Sequence, residues 1–477
     1  MRKQLPVVFV GLTAIMLSGC WSLAPSYQRP PIELPAGWGT QEGQDASAFG
    51  RQWWRIFEDD QLNELVDEAL TNNANLQIAL ARVDEARALL GLSRSNQFPA
   101  IDANLTRGRS ESSLRTATPL PPGTPRESDS YRATANVSYE VDLWGRLNSA
   151  SESARAELLA SEAAQETVRI ALAADIVRAY FALQALDEQV AATQRSIDTR
   201  GESLSLQKVR FEVGAISEFE YRQLEAEVLA ARAQLPVFER LRSQQENALA
   251  VLLGKSPRAI VEGIAVQTST RDDAEIDSST PTLVVPKDLP SQLLLRRPDL
   301  VESEQHLIAA NAQIGVARAS YFPTISLTGY FGNESSVLSE LFTGAAGTWR
   351  AAVGLSQPLF RAGAVGATVD AANARQRQAL GHYQQSIQNA FREVRDSIVA
   401  QTKTREQFEA EDKRVAALRD TLRLAKLRYQ NGIASQLDTL DAERNLLAAQ
   451  LSRSDALRAH RAAIADLFKA LGGGWNV

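Results

Sequence analysis

The sequence is poor in the residues that build disulfides, metal centres and transmembrane helices. Its 477 residues include one cysteine, Cys20, and three histidines. A single cysteine excludes an internal disulfide. No cysteine or carboxylate cluster accompanies His306, His382 or His460 at the spacing of metal ligands, so we interpret all three as surface residues of separate helical segments. The sequence also lacks a phosphate-binding glycine loop and a nucleophile elbow, and it therefore predicts neither an enzyme nor a cofactor site.

Long apolar runs are missing as well. No run reaches the 18 or so residues that a transmembrane helix needs. If the mature chain crosses a membrane, it must do so with strands that close into a barrel, because a bilayer offers no hydrogen-bond partners for unpaired backbone N–H and C=O groups.

Basic residues are fewer than acidic ones, 51 against 57, which gives a net charge of −6. This balance argues against a nucleic-acid partner, because such proteins carry basic patches. Cleavage of a leader that contains Arg2 and Lys3 would leave 49 basic residues, a net charge of −8 and a mature chain of 458 residues. Such a chain is too long for one compact core by the usual relation between surface and volume.

The amino terminus has the features of a secretory signal. Arg2 and Lys3 precede an apolar run of 13 residues at positions 5–17, which is too short to span a bilayer. The run ends in Leu17-Ser18-Gly19-Cys20, which resembles the lipobox of bacterial lipoproteins. The resemblance implies cleavage before Cys20 and acylation of its thiol and new amino group. The alternative is a buried cysteine in an uncleaved anchor.

The residue after the cysteine bears on localisation. Position 21 is Trp21, whereas aspartate there retains lipoproteins in the inner membrane in enteric-type sorting. The sequence thus favours the outer membrane. We expect residues 1–19 to be the signal peptide and residues 20–58 to form a lipidated, extended segment.

Two stretches of the sequence recur in the same order. Residues 76–99 match residues 300–323 at an offset of 224, with identities at Leu76, Ala86, Gly91, Arg94, Phe98 and Pro99 among others. Residues 210–217 match residues 428–435 at an offset of 218, and a longer proline-rich loop at 118–125 accounts for the different offsets. Ordered matches of this kind predict two copies of one structural unit.

The predicted copies are residues 59–254 and residues 289–477, joined by a linker at 255–288. In each copy a helix stops before a Phe-Pro pair, and alternating residues follow, such as Ile101, Ala103 and Leu105. This period of two predicts four strands per chain, each with one apolar and one polar face. Their length suits tilted membrane strands, although an ordinary half-buried sheet has the same pattern.

Residues 145–213 and 364–431 contain no proline and space their apolar residues by three and four, as coiled coils do. At 1.5 Å per residue each predicted helix is about 100 Å long. Gly214 and Gly432 suit left-handed helix caps, and Ser217 and Ser435 suit the N-caps of the returning helices. Each half therefore contains a predicted helical hairpin whose tip lies at one of these glycines.

Several motifs resemble the TolC-type outer-membrane efflux family. They are Arg296-Arg297-Pro298-Asp299-Leu300, the stretch from Ala309 to Arg318 and Phe322-Pro323. The lipobox, Trp53-Trp54 and the terminal Ala470-Leu471-Gly472-Gly473-Gly474-Trp475 resemble its OprM-type lipoprotein branch.

The resemblance implies a mixed α and β membrane protein that forms a homotrimer. Four strands per chain, twelve per trimer, would share one transmembrane β-barrel, which continues into a long α-helical barrel. It also implies a large periplasmic part, a periplasmic adaptor and an inner-membrane RND-type pump as partners, and export of drugs or other toxic solutes.

The resemblance further implies a periplasmic gate. Leu437 would form an apolar constriction, Asp441 a ring of carboxylates, and Arg428 with Tyr429 would hold that end shut. The first half lacks this pair, since Phe219 and Gln223 stand 218 residues earlier. The alternative is that Asp441 is an exposed acid beside Arg444 and that Leu437 only packs in the seam between helices.

Two other functions remain open on sequence alone. A type I secretion exit duct is one, and a structural lipoprotein that spans the periplasm is the other. The tips around Gly214, Ser217, Gly432 and Ser435 are expected to dock the adaptor. No residue identifies the substrate.

Overall fold

The computed structural model describes residues 22–31, 33, 50–115, 117, 120–121, 123–263 and 289–473. The helices there are α1 (Asp60–Asn72), α2 (Ala74–Ser95), α3 (Arg146–Glu212), α4 (Glu218–Leu252), α5 (Pro257–Glu262), α6 (Leu289–Arg296), α7 (Pro298–Ala319), α8 (Ala364–Gln430) and α9 (Gln436–Ala470). The strands are β1 (Ala100–Glu111), β2 (Glu127–Val141), β3 (Thr324–Ser335) and β4 (Gly347–Ser356). The predicted signal peptide, Cys20 and most of the predicted linker lie outside the described residues.

The order of elements in the first half recurs in the second. Each half has a 22-residue helix, two strands, a 67-residue helix and a 35-residue helix. The chain is thus mixed α and β, as predicted, and both long helices lie within the expected ranges. No helix in the described ranges is both long and apolar enough to span a bilayer. That the halves are copies of one unit stays a prediction.

The four strands form one antiparallel sheet in the order β1-β2-β3-β4. The pairing of β2 with β3 joins the two halves of the sequence, with Tyr139 opposite Leu327. Strand β1 is solvent-exposed along its whole length. In this chain the outer edges of β1 and β4 pair with no other described strand.

The chain divides into two compact units that do not follow the two sequence halves. Unit 1 contains residues 1–30, 83–161 and 303–383, and it includes the sheet. Unit 2 contains residues 31–82, 162–302 and 384–477 and is helical. Each unit thus takes segments from both halves, because strands and helices from the two halves pack on one another.

The helix predicted to stop before Phe98-Pro99 is preceded by a second helix, and Asn73 separates the two, α1 and α2. Asp59 caps α1, its Oδ1 accepting a hydrogen bond from the Leu62 amide at 3.1 Å. The side chain of Asn73 accepts hydrogen bonds from the amides of Asn75 and Leu76 and donates one to the Leu252 carbonyl. A side-chain amide that replaces helical hydrogen bonds in this way is typical of a helix boundary.

The main core of unit 2 is aromatic and includes the Trp53-Trp54 pair. Trp53 stacks on Phe468 with 4.8 Å between ring centroids, and Trp54 is 2% exposed. Its indole packs in the same cluster as Tyr180, whose hydroxyl donates to Asp59 Oδ2 at 2.8 Å. The core therefore joins the short 3-10 helix Trp53–Phe57 to α3 and α9.

The motif around Arg297 fastens the start of α7. Arg297 is buried, and its Nε and Nη2 donate to the Asp299 carboxylate at 3.0 and 2.6 Å. Nη2 also donates to Glu393, and Nη1 donates to the Ala470 carbonyl. Burial alone lowers the pKa of Arg297, but the hydrogen bonds and charges of the two carboxylates outweigh it and raise the pKa.

The histidines differ in their surroundings. His306 is half exposed beside Glu157, and His382 is exposed. The expectation of a surface residue is wrong for His460, which is 3% exposed and faces Thr404 of α8. Burial and the charges of Arg405 and Arg461 lower its pKa to about 4, so it stays neutral at pH 7. Among the described residues no three potential ligands gather to hold a metal.

Candidate functional site

The first helical tip is built by a glycine and a capping box. Gly214 has φ +74°, a value that favours glycine. The Ala215 amide donates back to the Arg210 carbonyl at 2.8 Å, which closes the end of α3. Ser217 then accepts a hydrogen bond from the Glu220 amide, and its own amide donates to the Glu220 carboxylate.

The second tip has the same construction. Gly432 has φ +72°, and the Ile433 amide donates to the Arg428 carbonyl at 2.8 Å. Ser435 and Asp438 form the capping box that starts α9. The predicted cap roles of both glycines and both serines are confirmed, whereas adaptor docking at these tips stays a prediction.

The predicted gate residues lie on both sides of the second tip. Leu437 is 42% exposed in the first turn of α9. Asp441, one turn later, is exposed and forms an ion pair with Arg444 at 2.6 Å. It also accepts a hydrogen bond from Asn445 at 3.0 Å. The two side chains share a helix face in the single chain.

Tyr429 has partners that the sequence analysis missed. Its hydroxyl accepts hydrogen bonds from Gln207 Nε2 at 2.8 Å and from Arg210 Nη1 at 2.9 Å. This cluster connects α8 to α3 within about two turns of the two tips. One sequence signal pointed to Arg210: the repeat offset of 218 pairs it with Arg428. The Arg428 side chain is exposed.

The segment that follows Cys20 packs against α7 in unit 1. We call residues 22–31 the anchor strap. The Leu23 carbonyl accepts a hydrogen bond from Arg318 at 3.2 Å, and the Pro25 carbonyl accepts one from Asn311 at 2.7 Å. A Cβ on Gly315 would lie 2.8 Å from the Cβ of Ala24, so the strap needs this glycine. The strap therefore lies along the part of α7 that contains the stretch from Ala309 to Arg318.

Glu304 fixes the far end of the anchor strap. Its carboxylate accepts two hydrogen bonds from Arg29, both at 2.7 Å, and one from the Tyr27 hydroxyl at 2.9 Å. Burial and the hydrogen bond to Glu304 raise the pKa of Tyr27. From Arg318 to Glu304 the helix rises about 21 Å, and six extended residues span about 20 Å. The strap is therefore extended and antiparallel to α7, which directs its Ser22 end towards Pro323 and the start of β3.

Glu304→Gln is expected to release the far end of the anchor strap. The substitution removes the charge that holds Arg29 and Tyr27, and hydrogen bonds to a charged group contribute about 1.5–3 kcal/mol. Chymotryptic cleavage after Tyr27 should become roughly tenfold faster or more. Asp370→Asn, an equal charge change at an exposed residue of unit 1, is the control. An unchanged cleavage rate in Glu304→Gln would show that Glu304 does not hold the strap.

Comparisons with known proteins agree with this arrangement. The family model described as outer membrane efflux protein matches residues 65–255 and 289–473. The probable efflux pump outer membrane protein TtgC of Pseudomonas putida is 36% identical over 98% of this chain and 95% of its own length. The probable outer membrane lipoprotein SilC of Salmonella typhimurium is 32% identical over 97% of each chain. The crystal structure of the Campylobacter jejuni CmeC outer membrane channel superposes with a TM-score of 0.85 and 27% identity, over 95% of each chain.

The predicted resemblance, the outer-membrane location and the efflux function are confirmed by these matches. The matched family is one of efflux channels rather than enzymes. By the family match over both halves and by full-length relatives at more than 30% identity, the chain belongs to the outer membrane efflux protein family.

Proposed function

We propose that three copies of this chain form a passive exit duct across the outer membrane for solutes delivered by an inner-membrane RND-type pump through a periplasmic adaptor. The observation that carries the proposal is the division of the sheet into two faces. Directly opposite residues of an antiparallel sheet share a face. The register places Ile101 opposite Val137, and Phe331 opposite Trp349.

The apolar face continues across all four strands. Leu105 pairs with Ala133, Ala135 pairs with Phe331, and the same face of β4 carries Trp349 and Val353. Leu105, Trp349 and Val353 are 76–78% exposed in the single chain. An exposed apolar face on extended strands suits contact with lipid acyl chains.

The opposite face of the sheet is polar. Asp102 pairs with Asn136, and Arg132 of β2 forms an ion pair with Glu334 of β3 at 2.6 Å. The pairs Asn104–Thr134 and Ser138–Thr328 continue the same face. Such a face suits the wet interior of a barrel, which is where solutes would pass.

The sheet edges require further copies of the chain. Unpaired backbone groups at β1 and β4 would each cost several kcal/mol in lipid, and bacterial barrels have at least eight strands. Two copies supply eight strands, three supply twelve and four supply sixteen. We propose three, as the family resemblance implies, with the long helices forming an α-helical barrel on the periplasmic side.

The names of the relatives favour efflux over the alternatives. TtgC is named as an efflux pump component, which supports efflux over a type I secretion duct. A structural spacer would lie in the aqueous periplasm, where an exposed apolar sheet face is unfavourable. Acylation of Cys20 is part of the proposal, and SilC, named as a probable lipoprotein, supports it. The gate at Leu437, Asp441, Arg428 and Tyr429 and adaptor docking at the tips belong to the same proposal.

The number of copies is the decisive test. Multi-angle light scattering of the purified protein in dodecyl maltoside, with detergent mass subtracted, should give three chains. Planar bilayers that contain the protein should show discrete conductance steps. A stable monomer would contradict the shared barrel, and four chains would contradict the trimer while leaving strand closure intact.

A further inference from the structure

The four strands of the sheet are staggered, so the sheet is slanted rather than rectangular. A row of opposite residues runs from Ala100, the first residue of β1, through β2 and β3 to Ala352 of β4. Strand β4 continues four residues beyond Ala352, to Ser356. At its other end β4 begins with Gly347, which lies in the row of Leu105, and β1 continues six residues beyond that row. Both ends of the sheet therefore shift in the same direction from β1 to β4.

A stagger of this kind is what closure of a barrel requires. The strands of a barrel tilt by about 35–45° from its axis, and neighbouring strands lie about 4.8 Å apart. Four strands therefore cover about 19 Å across the strand direction, and the tilt offsets the next copy by about 13–19 Å along that direction. At about 3.3 Å per residue, this offset is about four to six residues. The stagger within the sheet has the same size and gives the offset its direction.

The alternation along the strands restricts the offset further. Odd-numbered residues of β1, such as Leu105, and of β4, such as Val353, lie on the apolar face. Both faces continue across the junction of β4 with β1 of the neighbouring copy only if the offset is an even number of residues. An offset of four places Ala100 of one copy opposite Ser356 of the next, and an offset of six moves this pairing along by two residues.

Both offsets bring Trp349 against an arginine of the neighbouring copy. With an offset of four, Trp349 lies opposite Arg107, and with an offset of six it lies opposite Arg109. The other arginine is then a diagonal neighbour, which long side chains reach. All three side chains are exposed in the single chain, Trp349 by 78%. A junction without stagger would instead place Trp349 opposite Ala103, which lies in its row within one chain.

The two arginines suit an aromatic partner. Arg107 forms no ion pair with any described residue, and its guanidinium carbon lies 5.6 Å from the centroid of the Tyr131 ring. Arg109 pairs with Glu127 through one guanidinium nitrogen and remains 64% exposed. Stacking uses the flat face of a guanidinium group, so it is compatible with that ion pair. An arginine within about 6 Å of an aromatic ring centroid is attracted to the ring face, and tryptophan is the strongest partner of this kind.

We propose, on the basis of the three-chain duct described above, that Trp349 of each copy packs on Arg107 and Arg109 of its neighbour, at a junction offset by four or six residues. Short loops set the register of a hairpin, but no loop connects β4 with β1 of another copy. A specific side-chain contact at the junction supplies the missing register. The contact recurs three times around the barrel.

Disulfide cross-linking measures the offset. Asn104→Cys combined with Ala352→Cys tests an offset of four, and combined with Gly354→Cys it tests an offset of six. Asn104→Cys with Thr348→Cys, the pairing of an unstaggered junction, is the matched control, and Asn104→Cys alone gives the background from Cys20. Within one chain β1 and β4 lie three strand spacings apart, about 14 Å, which is too far for a disulfide. One staggered pair should give covalent oligomers that survive boiling and disappear on reduction, and the control pair should give almost none.

A double-mutant cycle tests the contact itself. Trp349→Ala should speed dissociation of the oligomer at a fixed temperature at least about fivefold, and so should Arg107→Gln combined with Arg109→Gln. All three substitutions together should act no more strongly than the larger of these effects, because they remove the same contact. The control is Tyr139→Ala, which changes an aromatic residue of the same face on β2, opposite Leu327. Its effect should add to that of the arginine substitutions.

Light scattering separates failure of this junction from failure of the duct. Three chains with cross-links only in the control pair, or in none of the pairs, would overturn the offset and leave the proposed duct in place. Additive effects of the Trp349 and arginine substitutions would overturn the contact. A stable monomer would overturn the duct and the junction with it.

Discussion

Ala351→Arg is expected to prevent stable assembly in the outer membrane, whereas Ala352→Arg is expected to be tolerated. Ala351 lies near the middle of β4 on the face that carries Trp349 and Val353. An arginine on the lipid face at the bilayer midplane costs about 2–4 kcal/mol. A trimer places three such arginines in one barrel, so heat-resistant oligomer should be nearly absent from outer-membrane fractions.

The neighbouring residue is the matched control. Ala352 lies opposite Thr328 on the polar face, where Arg132 and Glu334 already form an ion pair. Its arginine should face the wet interior and leave oligomer yield near that of the wild type. Heat-modifiable mobility on gels measures both variants. Equal loss of oligomer in the two variants would mean that the faces are not divided between lipid and water.

A combined Tyr429→Phe and Arg428→Ser variant is expected to open the proposed gate. The Tyr429 hydroxyl accepts hydrogen bonds from Gln207 of α3 and from Arg210, and their loss costs about 2 kcal/mol. That free energy shifts the equilibrium ratio of channels closed at the periplasmic end to channels open there roughly thirtyfold. Single-channel conductance in planar bilayers should rise from near-closed to larger, steadier values. Tyr221→Phe, at an aromatic residue near the first tip that stacks on Phe211, is the control.

Asp441→Ala tests the proposed carboxylate ring separately. Unit charges 4 Å apart repel by about 4 kcal/mol at an effective dielectric near 20, and salt reduces this value. Arg444 also offsets each charge at 2.6 Å. Loss of the ring should weaken block by divalent cations added on the periplasmic side and leave trimer yield unchanged. Asp420→Ala removes a similar aspartate paired with an arginine and should leave the block intact. If neither gate variant changes conductance or block, the aperture lies elsewhere.

Local features of the fold were predictable because their causes lie within a few residues. The caps at Gly214, Ser217, Gly432 and Ser435 follow from backbone conformation and side-chain hydrogen bonds to nearby amides. The lengths of the long helices follow from the absence of proline and the spacing of apolar residues. The alternation along each strand predicts which residues share a face, and the register of the sheet agrees with that prediction.

Features that depend on distant partners were not predictable in the same way. His460 was expected at the surface, because a single sequence does not say which face of α9 packs on α8. The hydrogen bonds of Tyr429 with Gln207 and Arg210 join residues more than 200 positions apart.

By itself, the sequence determined the family and the period of every long element, since these depend on residue type and near neighbours. The tertiary structure alone decided that strands from both halves join into one sheet, that the anchor strap lies along α7 and that Glu304 binds its far end. The physical reason is that strand pairing and burial depend on which surfaces meet. Hydrophobic contacts are non-directional, so the pattern of apolar residues along a sequence does not specify their partners.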